Sequence, residues 1–172
     1  MKVTYSDLKN KRVFISGGGS GIGATIVEYF CEQKSEVYFI DIDIKSSNKL
    51  IKKIKKKGFR VPKFIECNIL DVKKLQNIIK DIISKKGAIH CLINSAANDD
   101  RHTTEQVDEK YWENRMGINL KHYFFAAQAV VKGMKKIKSG SIVNLSSVSW
   151  VLGEGDKVVY ETAKSAVVGL TR

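Results

Sequence analysis

The sequence predicts an α/β fold, a doubly wound parallel sheet of five strands in the order 3-2-1-4-5. Three observations carry this. Short apolar runs alternate with longer amphipathic segments along the whole chain. A glycine-rich turn joins the first apolar run directly to a helix-like segment. The second apolar run ends in an acid, Asp41. Strands that alternate with helices are buried on both faces and need crossover connections, which are right-handed.

The elements follow in order. Arg12 to Ser16 reads as a buried strand through Val13, Phe14 and Ile15, and Ile22 to Gln33 reads as a helix. Val37 to Ile40 is the second strand, and Leu50 to Lys57 is helical. Val61 to Glu66 is a short strand whose Pro62 suits an edge. In Val72 to Lys85 the apolar positions Leu75, Ile78, Ile79, Ile82 and Ile83 recur at helical spacing. Ile89 to Asn94 is a fourth strand, and Val107 to Ile137 is mostly helical. Ser141 to Leu145 is the fifth strand, and a last helix begins at Lys157. No internal repeat, linker or composition break divides the 172 residues, so one domain is expected over 1–172.

Composition narrows the function. Apolar residues make up 43%, ordinary for a packed domain. No apolar run is long enough to span a membrane, and the polar start lacks a signal-peptide core, so a cytoplasmic protein is expected. Cys31, Cys67 and Cys91 are odd in number and fit no metal spacing, so they read as buried reduced thiols and no metal is expected. The net charge is +12, and 25 of the 30 basic residues are lysines. They are scattered, apart from the run Ile51 to Lys57, where isoleucines three apart mark an amphipathic helix with a solvated basic face. No interleaving of aromatic with basic residues supports nucleic-acid binding.

The glycine turn is Ser16-Gly17-Gly18-Gly19-Ser20-Gly21-Ile22-Gly23. Glycines at 17, 21 and 23 allow a tight turn and a close approach of backbone to a pyrophosphate, which the following helix N-terminus attracts. Asp41 lies 18 residues past Gly23, near the spacing of a ribose-binding carboxylate. An acid there accepts hydrogen bonds from ribose hydroxyls and repels a 2′-phosphate. No arginine stands in the loop or beside Asp41. NAD is therefore favoured over NADP. Asp43 competes for the same role from two residues further on. Asn68, after the third strand, either meets an adenine edge or is a plain turn residue.

A second constellation lies downstream. Tyr160 and Lys164 are four apart and share a helix face. Tyrosine is a poor base at neutral pH, and a nearby ammonium favours its phenolate. Ser146 and Ser147 end the fifth strand and Asn94-Ser95-Ala96-Ala97 ends the fourth, at the strand ends where such sheets bind ligands. Asn119 lies on the long helical segment between them.

In order and spacing these motifs resemble the short-chain dehydrogenase/reductase family, with a Rossmann-type sheet. The glycine loop matches with Ser16 where threonine is usual, and Asn94-Ser95-Ala96-Ala97 departs from the family's N-N-A-G at two positions. The resemblance implies a catalytic set of Ser147, Tyr160, Lys164 and Asn119. It implies cofactor contacts from Ser16, Gly17, Gly19, Ser20, Gly21, Ile22, Gly23, Asp41, Asn68, Ile69, Asn94, Ala96 and Ala97, together with Tyr160 and Lys164. The stretches 97–102, 119–128 and 147–153 further resemble the NAD-dependent D-xylose 1-dehydrogenases and related aldose 1-dehydrogenases. That implies a sugar substrate oxidised at C1 to a lactone. Tyr160 would be the base, Lys164 would lower its pKa, Ser147 would orient the reacting oxygen and Asn119 would hold a relay water. Asn98 and Arg101, with Asp99 and His102 beside them, are candidates for sugar hydroxyls. Ser149 and Trp150 are further substrate candidates, Trp150 either stacking on the sugar or serving as a core or lid residue. The family forms homo-oligomers. Its members run on beyond the Tyr160 helix, so the C-terminal strands are expected to be missing here and the fifth strand to form an apolar edge. The alternatives are a ketone or 3-oxoacyl reductase, a nucleotide-binding module, and an inactive truncated fragment.

Overall fold

The computed structural model describes residues 3–172. Five strands form one parallel sheet: β1 (Arg12–Ser16), β2 (Glu36–Asp41), β3 (Lys63–Glu66), β4 (Cys91–Asn94) and β5 (Ser141–Asn144). Their order is β3-β2-β1-β4-β5, as the alternation of elements predicts. The helices are α1 (Gly21–Glu32), α2 (Ile44–Lys56), α3 (Val72–Lys86), α4 (Glu109–Met116), α5 (His122–Lys136), α6 (Ser149–Leu152) and α7 (Val158–Thr171).

Side chains alternate between the faces of the sheet. Val13, Ile15, Val37, Phe39 and Ile93 pack with Val27 and Cys31 of α1 and Leu50 and Ile54 of α2. Phe14, Tyr38, Ile40 and Leu92 face the other way, onto Leu75, Ile79 and Ile82 of α3 and Ala126, Val130 and Met134 of α5. Each large apolar side chain so buried contributes roughly 1.5–3 kcal/mol. The registers set Ser16 beside both Ile40 and Asn94, and Asn94 beside Asn144, so the strand ends form one row.

Several boundaries differ from the sequence reading, each for a local reason. Helix α2 starts at Ile44, six residues before Leu50, because the Asp43 carboxylate accepts the Ser46 N–H at 2.9 Å. Asp43 spends one carboxylate oxygen on this cap. Asp71 and Asp108 cap α3 and α4 in the same way. Strand β3 begins at Lys63, just after Pro62, and lies at one edge of the sheet. Strand β5 forms the other edge, with Val143 exposed. The long helical segment is broken by a π-helical stretch at 117–121. There a Cβ on Gly117 would lie 2.7 Å from Leu70 Cδ2, and Asn119 is buried. The short helix α6 was not expected from the sequence.

The three cysteines are free, and burial raises Cys31 to about 12 and Cys91 to about 11. Among the described residues no helix is long and apolar enough to cross a membrane, and no group of acidic, His or Cys side chains is arranged to hold a metal.

Candidate active site

A cleft of about 660 Å³ runs along the carboxyl ends of the strands. At one end is the glycine loop. The N–H groups of Gly17 and Gly18 both donate to Ile40 O, at 2.9 and 3.1 Å, which folds the loop back over β2. Gly17 takes φ +68°, and a Cβ there would lie 2.6 Å from Ala96 Cα. A Cβ on Gly23 would lie 1.9 Å from Gly17 O, so α1 can start this close to the loop only without one. The first bond within α1 is Ala24 N–H to Ser20 O, and Ser20 makes no side-chain cap. The N–H groups of the first turn therefore have no partner inside the helix.

Asp41 closes this end. One carboxylate oxygen accepts the Gly19 N–H at 2.8 Å and the other the Asp43 N–H at 2.9 Å. Gly17, Ser20, Gly21, Ile22, Gly23, Asp41, Asn68, Ile69, Ala96, Ala97 and Asn98 all line the cleft. Ser16, Gly19 and Asn94 lie behind its wall. Ser16 is buried, and its hydroxyl accepts the N–H groups of Ser95 and Ala96 at 3.1 and 3.3 Å. Asn94 is buried and donates to Asn144 Oδ1 at 2.8 Å, tying β4 to β5.

At the other end stand Tyr160 and Lys164, on successive turns of α7. Lys164 is 1% exposed. Its ammonium donates to Leu145 O at 2.8 Å and to Tyr123 Oη at 3.0 Å, and lies 5.5 Å from the centre of the Tyr160 ring. Burial lowers its pKa from 10.5 to about 8, with Asp99 acting weakly the other way. Burial also raises the Tyr123 phenol well above its ordinary value, and the neighbouring Tyr160 adds to this. Tyr160 and Lys164 thus set a phenol and a buried ammonium one helical turn apart at the same end of the cleft.

Residues 11–172 match the family model described as short chain dehydrogenase. The chain belongs to the short-chain dehydrogenase family. Two relatives are close over nearly all of it. It is 41% identical over 169 residues to the D-xylose 1-dehydrogenase of Caulobacter vibrioides, covering 98% of this chain and 66% of that protein. It is 38% identical over 168 residues to a "Probable galactose dehydrogenase" of Rhizobium meliloti, with the same coverage of 98% and 66%. The solved aldohexose dehydrogenase of Thermoplasma acidophilum superposes with a TM-score of 0.83 at 28% identity, over 97% of this chain and 61% of that one. The chain thus spans 66% of the length of these curated relatives.

The other residues expected in a short-chain dehydrogenase site are placed as follows. Asn119 is buried and grips the backbone of Asn98 from both sides: its Oδ1 accepts the Asn98 N–H at 2.8 Å, and its amide donates to Asn98 O at 2.9 Å. Ser146 lines the cleft, whereas Ser147 is not among the lining residues and shares a 2.8 Å bond with the Ser149 hydroxyl. Arg101 reaches Asp156 in an ion pair and is 67% exposed, so it joins two loops and does not line the cleft. Ser149 is buried, and Trp150 is on the exposed side of α6. Three further side chains stand near the site, held by contacts distant in sequence. Tyr123 holds Lys164 from 41 residues upstream. His122 is fully buried, with Nε2 3.4 Å from Ser16 Oγ and its pKa lowered to about 3, by burial first and by Lys164 second. His102 joins the loop after β4 to α7.

Proposed function

We propose that residues 1–172 form one dinucleotide-binding domain whose cleft serves an NAD-dependent dehydrogenase acting at C1 of an aldose. The observation that carries this reading is the buried Lys164 ammonium, one helical turn from Tyr160 and at the opposite end of the cleft from the glycine loop and Asp41.

The residues present suit a dinucleotide. The surfaces at Gly17 and Gly23 have no room for a Cβ, and the α1 N-terminus offers unpartnered N–H groups to a pyrophosphate. Asp41 keeps lone pairs for ribose hydroxyls beyond the two it spends on Gly19 and Asp43. Its charge opposes a 2′-phosphate, which supports NAD over NADP. When bound, the nicotinamide supplies the hydride acceptor.

Tyr160 takes the proton from the C1 hydroxyl of the sugar. The Lys164 ammonium, 5.5 Å from the centre of the Tyr160 ring, sets a positive charge beside the base. Ser147 orients the sugar oxygen, and the 2.8 Å bond to Ser149 fixes the serine in turn. Both side-chain atoms of Asn119 are committed to Asn98, so its part is to hold the loop at the cleft mouth. Asn98, which lines the cleft, is the better candidate for a sugar hydroxyl than Arg101. The kinship with sugar dehydrogenases supports an aldose as substrate. A cytoplasmic homo-oligomer fits the same reading, with Phe124, Val131 and Ile137 exposed along or just after α5.

The test is turnover with NAD and a panel of D-xylose, D-galactose and D-glucose, beside ketone reduction with NADPH. NADH should form with at least one aldose, and Tyr160→Phe should lower the rate by about 10²–10⁴. Ketone reduction without aldose oxidation would replace the aldose reading, and a fully active Tyr160→Phe would remove the base.

A further inference from the structure

Helix α7 carries Tyr160 and Lys164, yet its own start has no cap. The N-cap residue is Lys157, whose side chain makes no capping bond and pairs with Glu154 at 2.6 Å. Lysine offers donors only, so the first-turn N–H groups need an acceptor from elsewhere. Val159 N–H finds one in His102 Nε2, 3.3 Å away and 57 residues upstream. Val159 is fully buried, which leaves no solvent to take the place of that acceptor.

His102 is held for this task. It is 7% exposed, and its backbone N–H donates to Asp156 O at 2.7 Å. Its Nδ1 lies 2.9 Å from Tyr111 Oη and 3.2 Å from Asp100 O, and the two rings meet edge to face at 4.9 Å. A backbone N–H can only donate, so Nε2 must be the bare nitrogen. Nδ1 then carries the proton, facing two oxygens able to accept it. Only the neutral ring satisfies both sides. A protonated ring would turn an N–H against the Val159 N–H and set a cation at the positive end of α7. The surrounding charges are paired among themselves: Arg115 with Asp100 at 2.8 Å, Arg101 with Asp156, and Lys157 with Glu154. Arg115 also lies over the Tyr111 ring at 4.8 Å.

We propose that His102 is a positioning residue for Tyr160, a neutral imidazole that caps α7 from a distant loop. Asn119 grips Asn98 at one end of that loop, and His102 grips α7 at the other. The loop thereby sets the start of the base-bearing helix relative to the cleft mouth. The effect on turnover rests on the dehydrogenase reading; the cap itself does not.

Two variants separate acceptor from bulk. His102→Gln sets an amide oxygen near the place of Nε2, whereas His102→Leu fills the space with no acceptor. In the wild-type chain, ring-nitrogen NMR should show the proton on Nδ1. Amide exchange at Val159 should be about tenfold faster in His102→Leu and restored in His102→Gln. With an aldose and NAD, His102→Leu should lower kcat about tenfold with the KM for NAD unchanged, and His102→Gln should recover it. A proton on Nε2, or Val159 exchange indifferent to His102→Leu, would overturn the cap. Faster exchange with wild-type kcat would overturn its role in positioning Tyr160. Exchange behaving as expected, with no variant or wild type oxidising any aldose, would leave the cap standing and remove the dehydrogenase reading instead.

Discussion

Replacing Lys164 by methionine is expected to stabilise the fold at neutral pH and to lose that advantage as pH rises. Lys164 is 1% exposed, and its two bonds go to neutral oxygens, Leu145 O and Tyr123 Oη. Burial lowers its pKa from 10.5 to about 8. That displacement corresponds to about 3 kcal/mol, at roughly 1.4 kcal/mol per pH unit. The sign follows from proton binding. Below about 8 both folded and unfolded chains hold the proton, and the fold bears the whole cost of a buried ammonium. Between about 8 and 10.5 the unfolded chain binds the proton more tightly, so wild-type stability climbs with pH. Above 10.5 the cost is gone. Methionine carries no charge, and it forfeits about 1 kcal/mol of hydrogen bonding at Leu145 O and Tyr123 Oη. The variant should therefore be about 2 kcal/mol more stable near pH 7 and about 1 kcal/mol less stable near pH 11. Urea midpoints of both proteins across that range measure the difference. A gap that stays constant with pH, or a variant weaker at neutral pH than in alkali, would refute the buried-ammonium account.

Three further perturbations probe the rest of the site. Tyr123→Phe removes an acceptor from the Lys164 ammonium, so the lysine should titrate below its present value of about 8 by NMR; an unchanged midpoint would discount the Tyr123 contact. Gly23→Ala drives a methyl to 1.9 Å from Gly17 O and should cost about 1–3 kcal/mol by thermal denaturation and abolish NAD binding by calorimetry. A variant that melts and binds NAD like wild type would contradict the packing described for the loop. Asp41→Asn keeps an acceptor for the Gly19 N–H and removes the charge, so the affinity for NADP relative to NAD should rise about tenfold. An unmoved ratio would take cofactor discrimination away from Asp41.

What the sequence discloses here follows from how locally each feature is determined. Val13–Ile15 and Val37–Ile40 are buried on both faces of the sheet, so they read as unbroken apolar runs and their pairing order follows from the helices between them. The glycine loop is equally local, since Gly17 and Gly23 answer to contacts within a few residues of the turn and to the adjoining strand end. The start of α2 was hidden because its first turn is polar and held by Asp43. The π-helical stretch depends on Leu70 and on the Asn98 backbone, neither visible from the residues around Gly117 and Asn119. Arg101 looked like a ligand for sugar until Asp156, 55 positions on, claimed it. For His102 a faint signal was present. A lysine at the N-cap of an otherwise apolar helix start implies a cap brought from elsewhere.

Tyr160 and Lys164 are proposed to serve hydride removal from C1 of an aldose. The most direct measurement uses D-xylose or D-galactose deuterated at C1, with NAD, followed by mass spectrometry of the reduced cofactor. Deuterium should appear in the NADH formed by the wild-type protein and be transferred about 10²–10⁴ times more slowly by Tyr160→Phe. Unlabelled NADH, or label transferred equally by Tyr160→Phe, would contradict this role.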